Sequence, residues 1–526
     1  MAWCDDSISG VEQKSAMSAD VSHPVAVLQN TTRAEILAFI ILLLLALGIT
    51  KVIYNVFFHP LAAVPGPKLF AISAIPISWS RVRGTSPYKF AELHEEYGPV
   101  VRVSPNEVSC AGTTAFKDVY GPRYGKGGPL PRDTRTATLK EMFGAVGMFQ
   151  ASVQEHARIR RQLSPAFSEK ASREQEPLVR GYINSMLQKL RDASERGEAV
   201  DIEKYTMWAT FDIQGDLVFG EDVFGCIREE RYHPWINISM TFFTGSVYTH
   251  ALNDISPWAL WIWQRFLTPK SLVDAQSYHI KTTLDLVDKR MAAGKTNHPD
   301  YMSFIAGESK AGEMLTKEQM YANAQMLVMA GSETVATTSA TTLFLLLTHP
   351  KKMDRVKREI RSAFDSDQSV TAASVAQLPY LMAVIDESMR VWPPVATSFN
   401  PRQVPSGGCT VDGYFIPEGL FVGIHNHAIG RLEGYFRGAK EFVPERWLGD
   451  ERYSSDARGL FQPFSSGPMN CIGLTMGRME TRVILARLIY NFDIELMPEC
   501  SSWLENQKNY IAWHKPPLLV KLTRVD

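Results

Sequence analysis

The sequence predicts a mainly α-helical fold with small β-sheets, arranged as one large domain behind an N-terminal transmembrane helix. Three observations carry that prediction. An uncharged aliphatic run lies close to the N-terminus. A helical pattern from Thr316 to just before His349-Pro350 is long and apolar enough to be central. Beyond residue 68, no Gly/Ser linker, repeat period or low-complexity tract divides the chain.

Composition sets the outer limits. Of 526 residues, 45% are hydrophobic and 21% charged, the balance of a globular protein. Lys and Arg total 55 against 56 Asp and Glu, a formal net charge of −1 that gives no electrostatic case for nucleic acid. The six cysteines, at 4, 110, 226, 409, 471 and 500, form no close pair and no C-x-x-C. That spacing argues against a disulfide framework or structural zinc and fits a reducing compartment.

Residues 1–33 read as a polar segment and 34–58 as the anchor. Ile36 to Ile49 is uncharged, and apolar character resumes from Val52 to Phe58 around Lys51, which can snorkel to the headgroups. A signal peptide would begin near the first Met, whereas polar sequence comes first here. Lys51, Lys68, Arg81 and Arg83 follow the span, while Lys14 and Arg33 precede it. The positive-inside tendency places the large C-terminal part in the cytosol and the sequon Asn30-Thr31-Thr32 in the lumen. Residues 59–67, with His59-Pro60 and Pro65-Gly66-Pro67, form a stiff elbow, and 68–526 the large domain behind it.

Short strand pairs punctuate the helices. Val100–Val103 and Val108–Cys110 flank a Ser-Pro-Asn turn, and Thr410-Val411 pairs with Tyr414–Ile416 across Asp412-Gly413. Thr316 and Gln319 have capping-box spacing at the start of the long helix. Ala330-Gly331-Ser332-Glu333-Thr334 interrupts that helix with a glycine and an acid–alcohol pair. A helix from about Tyr380 to Val391 ends at Pro393-Pro394 and carries Glu387 and Arg390 on one face. Pro444-Glu445-Arg446-Trp447 offers that glutamate a second arginine.

Phe464 to Gly473 is a Pro/Gly-rich loop presenting Cys471 before helix-like sequence that runs to about Asn491. Such a loop can turn backbone N–H groups toward the sulfur, and a helix start favours the thiolate. A thiolate so held can ligate haem iron. Most cysteines are ordinary core residues, so the surrounding motifs have to shift those odds.

In this order the motifs resemble the cytochrome P450 superfamily of haem-thiolate monooxygenases, over essentially the whole chain. The pattern F-x-x-G-x-R-x-C-x-G is met at Phe464, Gly467, Cys471 and Gly473, with Met469 where arginine is usual. His156–Phe167 and Leu378–Pro394 look most like fungal secondary-metabolism members. The resemblance implies haem b (iron-protoporphyrin IX) with Cys471 as its metal ligand. It implies propionate contacts from His156, Arg160 and Arg402, one of the usual contacts being missing or replaced at Met469. Glu387, Arg390 and Arg446 match a buried charge triad. Gly331, Glu333 and Thr334 match the oxygen-activation segment, and Val335 stands where Thr or Ser is common.

Substrate-pocket candidates are Met326, Met329, Ala330, Val395 and Phe399, whose apolar character implies a lipophilic small molecule. The implied reaction takes O2 and electrons from NADPH through a separate NADPH-cytochrome P450 reductase, at the endoplasmic reticulum membrane. Arg158 and Arg161 are left for solvent or for that reductase. A haem-thiolate isomerase or dehydratase would need no reductase, and a haem-binding sensor no turnover; retention of Glu333-Thr334 argues for the monooxygenase. No G-x-S-x-G or H-E-x-x-H supports a hydrolase.

Overall fold

A computed structural model describes residues 32–122, 128–133, 142–294, 296–307, 315–398 and 401–525. The expectations for Asn30, for the polar segment before Thr32 and for Phe399 lie outside them. The chain forms two units, Met1–His59 and Pro60–Asp526. In the first, α1 (Arg33–Ile53) starts at a Thr32–Glu35 capping box and continues as a π-helical turn over Tyr54–Phe58. Arg33–Phe58 is long and apolar enough to cross a membrane, and its apolar window is unburied.

The second unit is helical around a few small sheets. The helices that build the site are α2 (Ala115–Tyr120), α3 (Val153–Leu163), α4 (Ile202–Phe219), α5 (Lys317–Leu347), α6 (Pro379–Val391) and α7 (Leu474–Asn491). Both halves of the Thr316/Gln319 capping box form at the start of α5. This helix runs unbroken through Gly331, contrary to the interruption expected there. The glycine has a packing cause: a Cβ would stand 2.4 Å from Cδ of Gln214 on α4. Some hydroxyls along α5 return to the carbonyl one turn back, as Ser332 does to Val328 at 2.7 Å and Thr338 to Thr334 at 2.8 Å, whereas those of Ser339, Thr341 and Thr342 have no partner among the described residues. Where it occurs, that back-bonding satisfies a buried hydroxyl within the helix itself.

Strands β1 (Val100–Ser104) and β2 (Glu107–Cys110) form the first expected hairpin. Then come β3 (Ala199–Asp201), β4 (Arg402–Gln403), β5 (Cys409–Val411), β6 (Tyr414–Ile416), β7 (Phe421–Gly423), β8 (Phe492–Leu496), β9 (Lys508–Tyr510), β10 (Ala512–His514) and β11 (Leu519–Arg524). They order as β1-β2-β7-β4, β3-β11-β8, β5-β6 and β9-β10, with β2 and β7 parallel. Asp412 and Gly413 turn the β5-β6 hairpin with φ of 48° and 81°. The largest core cluster packs α4, α5, α6 and α7 together, with Phe211, Ala336, Val384 and Leu485 fully buried in it.

Candidate active site

The loop before α7 is fixed from both ends. Cys471 N–H donates to Phe464 O at 2.9 Å, closing the loop on itself. Gly467 has φ 74°, and a Cβ there would fall 1.9 Å from the Tyr120 carbonyl oxygen at the end of α2. Only glycine tolerates both the φ and the contact. Gly473 caps α7 as its N-cap residue. The Phe464 ring lies against the Arg478 guanidinium at 5.3 Å.

Cys471 is accessible because it faces a cavity of about 370 Å³. Burial pushes its thiol pKa up; the Gly473 N–H and the Arg160 charge work the other way, toward the thiolate. Met326, Ala330, Gly331 and Thr334 line the same cavity, as does Val395. Met329 does not: it is 3% exposed and packs in the core, about 100° around the helix from cavity-facing Ala330. Thr334 Oγ1 donates to Ala330 O at 2.7 Å.

Glu333 is turned away from the cavity, unlike the position its expected role suggested. Its Oε1 accepts from Lys515 Nζ and from Thr337 Oγ1, both at 2.8 Å. Lys515 also pairs with Glu203 at 3.3 Å. Lys515 lies far along the chain from both acids, and no local pattern pointed to it. A second acid, Glu480 on α7, does line the cavity. It accepts from Gln214 Nε2 at 3.0 Å, its Oε2 has no partner among the described residues, and burial pushes its pKa up to about 8.

Among the described residues, Arg132, His156, Arg402, Arg478 and Arg482 line the cavity, Arg478 paired with Asp386, and Arg160 adjoins it through Asn470. His156, on α3, is buried, and burial together with Arg132, Arg160 and Arg402 lowers its pKa to about 4, so it is neutral. Arg402 Nη1 donates to Leu130 O at 3.1 Å and touches Met469 Sδ at 3.3 Å. Arg160, expected to point at a propionate, instead donates to the backbone and side-chain oxygens of Asn470, next to the cysteine. Arg132 had not been singled out. Arg158 is taken up by Glu155 and Gln319, both at 2.7 Å.

The expected charge triad assembles with a fourth member. Glu387 accepts from Arg390 Nη2 at 2.8 Å, Arg446 Nε at 3.0 Å, Trp447 Nε1 at 2.9 Å and Val443 N–H at 2.8 Å. Arg446 also pairs with buried Asp456. Two acids thus balance two arginines, so the cluster is neutral as well as hydrogen-bonded.

An iron-porphyrin with two carboxylates fits this donor set. One thiol faces the cavity from a glycine-framed loop, and Arg132 and Arg402 form no ion pair with a carboxylate among the described residues. Arg402 is buried and Arg132 half-buried, and cations withdrawn from water in this way without counter-charges call for an anion.

A cytochrome P450 family model matches residues 65–522. The chain is 36% identical over 505 residues to the cytochrome P450 monooxygenase tpeC of Talaromyces stipitatus, covering 95% of this chain and 97% of that protein. It is 39% identical over 484 residues to a trichothecene C-4 hydroxylase of Trichoderma arundinaceum, with 90% and 94% covered. It is 35% identical over 480 residues to a trichothecene C-15 hydroxylase of Fusarium sporotrichioides, with 91% and 96% covered.

Proposed function

The chain belongs to the cytochrome P450 family and is a haem-dependent monooxygenase fed by a redox partner, and we propose that it uses Cys471 to hold haem b while oxidising a lipophilic small molecule of fungal secondary metabolism. The observation that carries this reading is Cys471 facing a cavity that also holds Thr334 and two arginines, Arg132 and Arg402, with no carboxylate partner among the described residues. When bound, the haem supplies reductive dioxygen activation and the oxidant that attacks the substrate.

The chain's own residues do the rest. Cys471 offers a sulfur whose charge the Gly473 N–H and Arg160 favour. Arg402 and neutral His156 present donors to the cofactor's carboxylates. Thr334 Oγ1 spends its proton on Ala330 O and keeps its lone pairs for water in the cavity, where they can orient a proton donor. The Glu333 carboxylate lies behind the cavity wall, held by Thr337 and Lys515, neither of which lines the cavity. Phe116, Phe149, Leu327, Val335 and Ile424 give the cavity an apolar lining that excludes water and accepts an apolar substrate. Two relatives named as trichothecene C-4 and C-15 hydroxylases support hydroxylation as the outcome.

Electrons come from NADPH through NADPH-cytochrome P450 reductase, and the protein sits as a single-pass protein of the endoplasmic reticulum with its catalytic domain in the cytosol. Arg33–Phe58 supports the anchor. Exposed Trp258 (73%) and Phe266 (65%) add apolar surface suited to a lipid face. Product formation with purified reductase and NADPH in vesicles tests the assignment. Turnover of substrate without reductase would instead support a haem-thiolate isomerase.

A further inference from the structure

Position 469 is where this chain departs from its family's loop pattern, and the structure shows what surrounds the departure. Met469 is 5% exposed, and its sulfur is 3.3 Å from Arg402 Nη1. A thioether is at best a weak acceptor and brings no charge, so the loop itself supplies no cation to an anion in the cavity.

Arg132 approaches the same place from a different segment. An isolated antiparallel bridge pairs it directly with Arg402. Hydrogen bonds from Asp133 N–H to Pro401 O and from Gln403 N–H to Pro131 O, both 2.9 Å, fix that register. Arg132 lines the cavity and stacks 4.5 Å over the Phe149 ring, while its Nη1 reaches the Phe149 and Met148 carbonyls. Two like charges directly opposite one another in a bridge repel, and burial makes this worse. Burial, then Arg402 and Arg160, drag the Arg132 pKa down to about 9. No carboxylate among the described residues forms an ion pair with either Arg132 or Arg402. A pair of cations held together by backbone register, against their own repulsion and open to a cavity, is a receptor for an anion.

We propose that Arg132 binds a carboxylate of the cofactor and supplies the charge that Met469 does not. The inference rests on the haem-thiolate reading above and adds a residue to it. The arginine has moved from the cysteine loop to the segment bridged to β4, so the anion is gripped across two elements instead of by the loop alone. Because that grip is independent of the loop, losing it should free haem without altering the thiolate.

Haem transfer from the holoprotein to apomyoglobin measures the grip, and the reduced-carbon monoxide spectrum separately reports the thiolate. Arg132→Gln, which keeps an N–H for the Phe149 carbonyl, should release haem about tenfold faster, the size of one lost charge-assisted contact. Its thiolate spectrum should be unchanged. Arg132→Lys should release haem at close to the wild-type rate. Met469→Arg in the Arg132→Gln background should slow release again, since it restores the charge from the loop side. Wild-type release from Arg132→Gln overturns the proposal. So does equal loss from the Gln and Lys variants, which would reduce Arg132 to a pin for the Phe149 backbone. So does failure of Met469→Arg to slow release. A wild-type protein without a thiolate spectrum would sink the haem-thiolate reading itself, a separate outcome.

Discussion

Lys515 Nζ lies 2.8 Å from Glu333 Oε1 inside the fold, joining the C-terminal segment to the central helix. Burial opposes the Lys515 ammonium, but Glu333 and Glu203 outweigh it and raise its pKa. The pairing therefore contributes stability through neutral pH and loses it only as pH rises through the raised value. Lys515→Met would leave two buried acids without their cation, a loss of about 3–5 kcal/mol. Urea unfolding of wild type and variant checks this; Lys515→Arg should recover part of the loss. A variant as stable as wild type would mean that Glu333 finds another partner.

Thr334→Ala should retain haem and fold but lower the product formed per NADPH consumed, with more peroxide released. The hydroxyl lines the cavity and is anchored to Ala330 O, so its removal takes away a fixed proton-orienting group without disturbing α5. Unchanged coupling would assign proton control elsewhere.

Glu480 gives the protein a pH dependence of a definite sign. Its folded pKa, about 8 through burial, exceeds that of an unfolded glutamate near 4.3. Between those values the folded state holds a proton that the unfolded state has released. Stability from this group therefore falls as pH rises from about 4.3 to 8 and is level above that. Glu480→Gln should remove that slope, so its stability advantage over wild type grows from pH 5 to pH 8. Parallel denaturation midpoints for the two proteins over this range would contradict the assignment.

Asp456→Asn should be nearly as damaging as changing the expected triad. It leaves Arg446, which is fully buried, with one acid shared between two arginines. A loss of about 3–5 kcal/mol is expected in chemical unfolding. A loss below about 1 kcal/mol would show that the backbone carbonyls of Arg437 and Gly438 satisfy Arg446 unaided.

The parts of this molecule that local chemistry writes were legible in the sequence. Thr316 and Gln319 marked the start of the central helix, Pro393-Pro394 the end of α6, and Asp412-Gly413 a hairpin. Each is decided by residues within a few positions of one another. The loop around Cys471 was legible for the same reason. Lys515 and Arg132 were not, because the groups each meets come from distant segments, and Asp456 was not, because it meets Arg446 ten residues back across irregular turns that carry no periodic pattern. Met329 was misjudged by helical phase: Met326 and Ala330 face the cavity, while Met329 turns into the core. Glu333 was found in sequence, but only the fold shows that its carboxylate points to Lys515 and not into the cavity.

The most direct test of the account is the carbon monoxide difference spectrum of the reduced protein. Wild type should give the strongly red-shifted Soret band of a thiolate-ligated haem. Cys471→Ala should lose it, while Cys409→Ala and Cys500→Ala keep it. A thiolate-type band from the Cys471→Ala protein would contradict the assignment of Cys471 and, with it, the reading of the cavity as a haem-thiolate site.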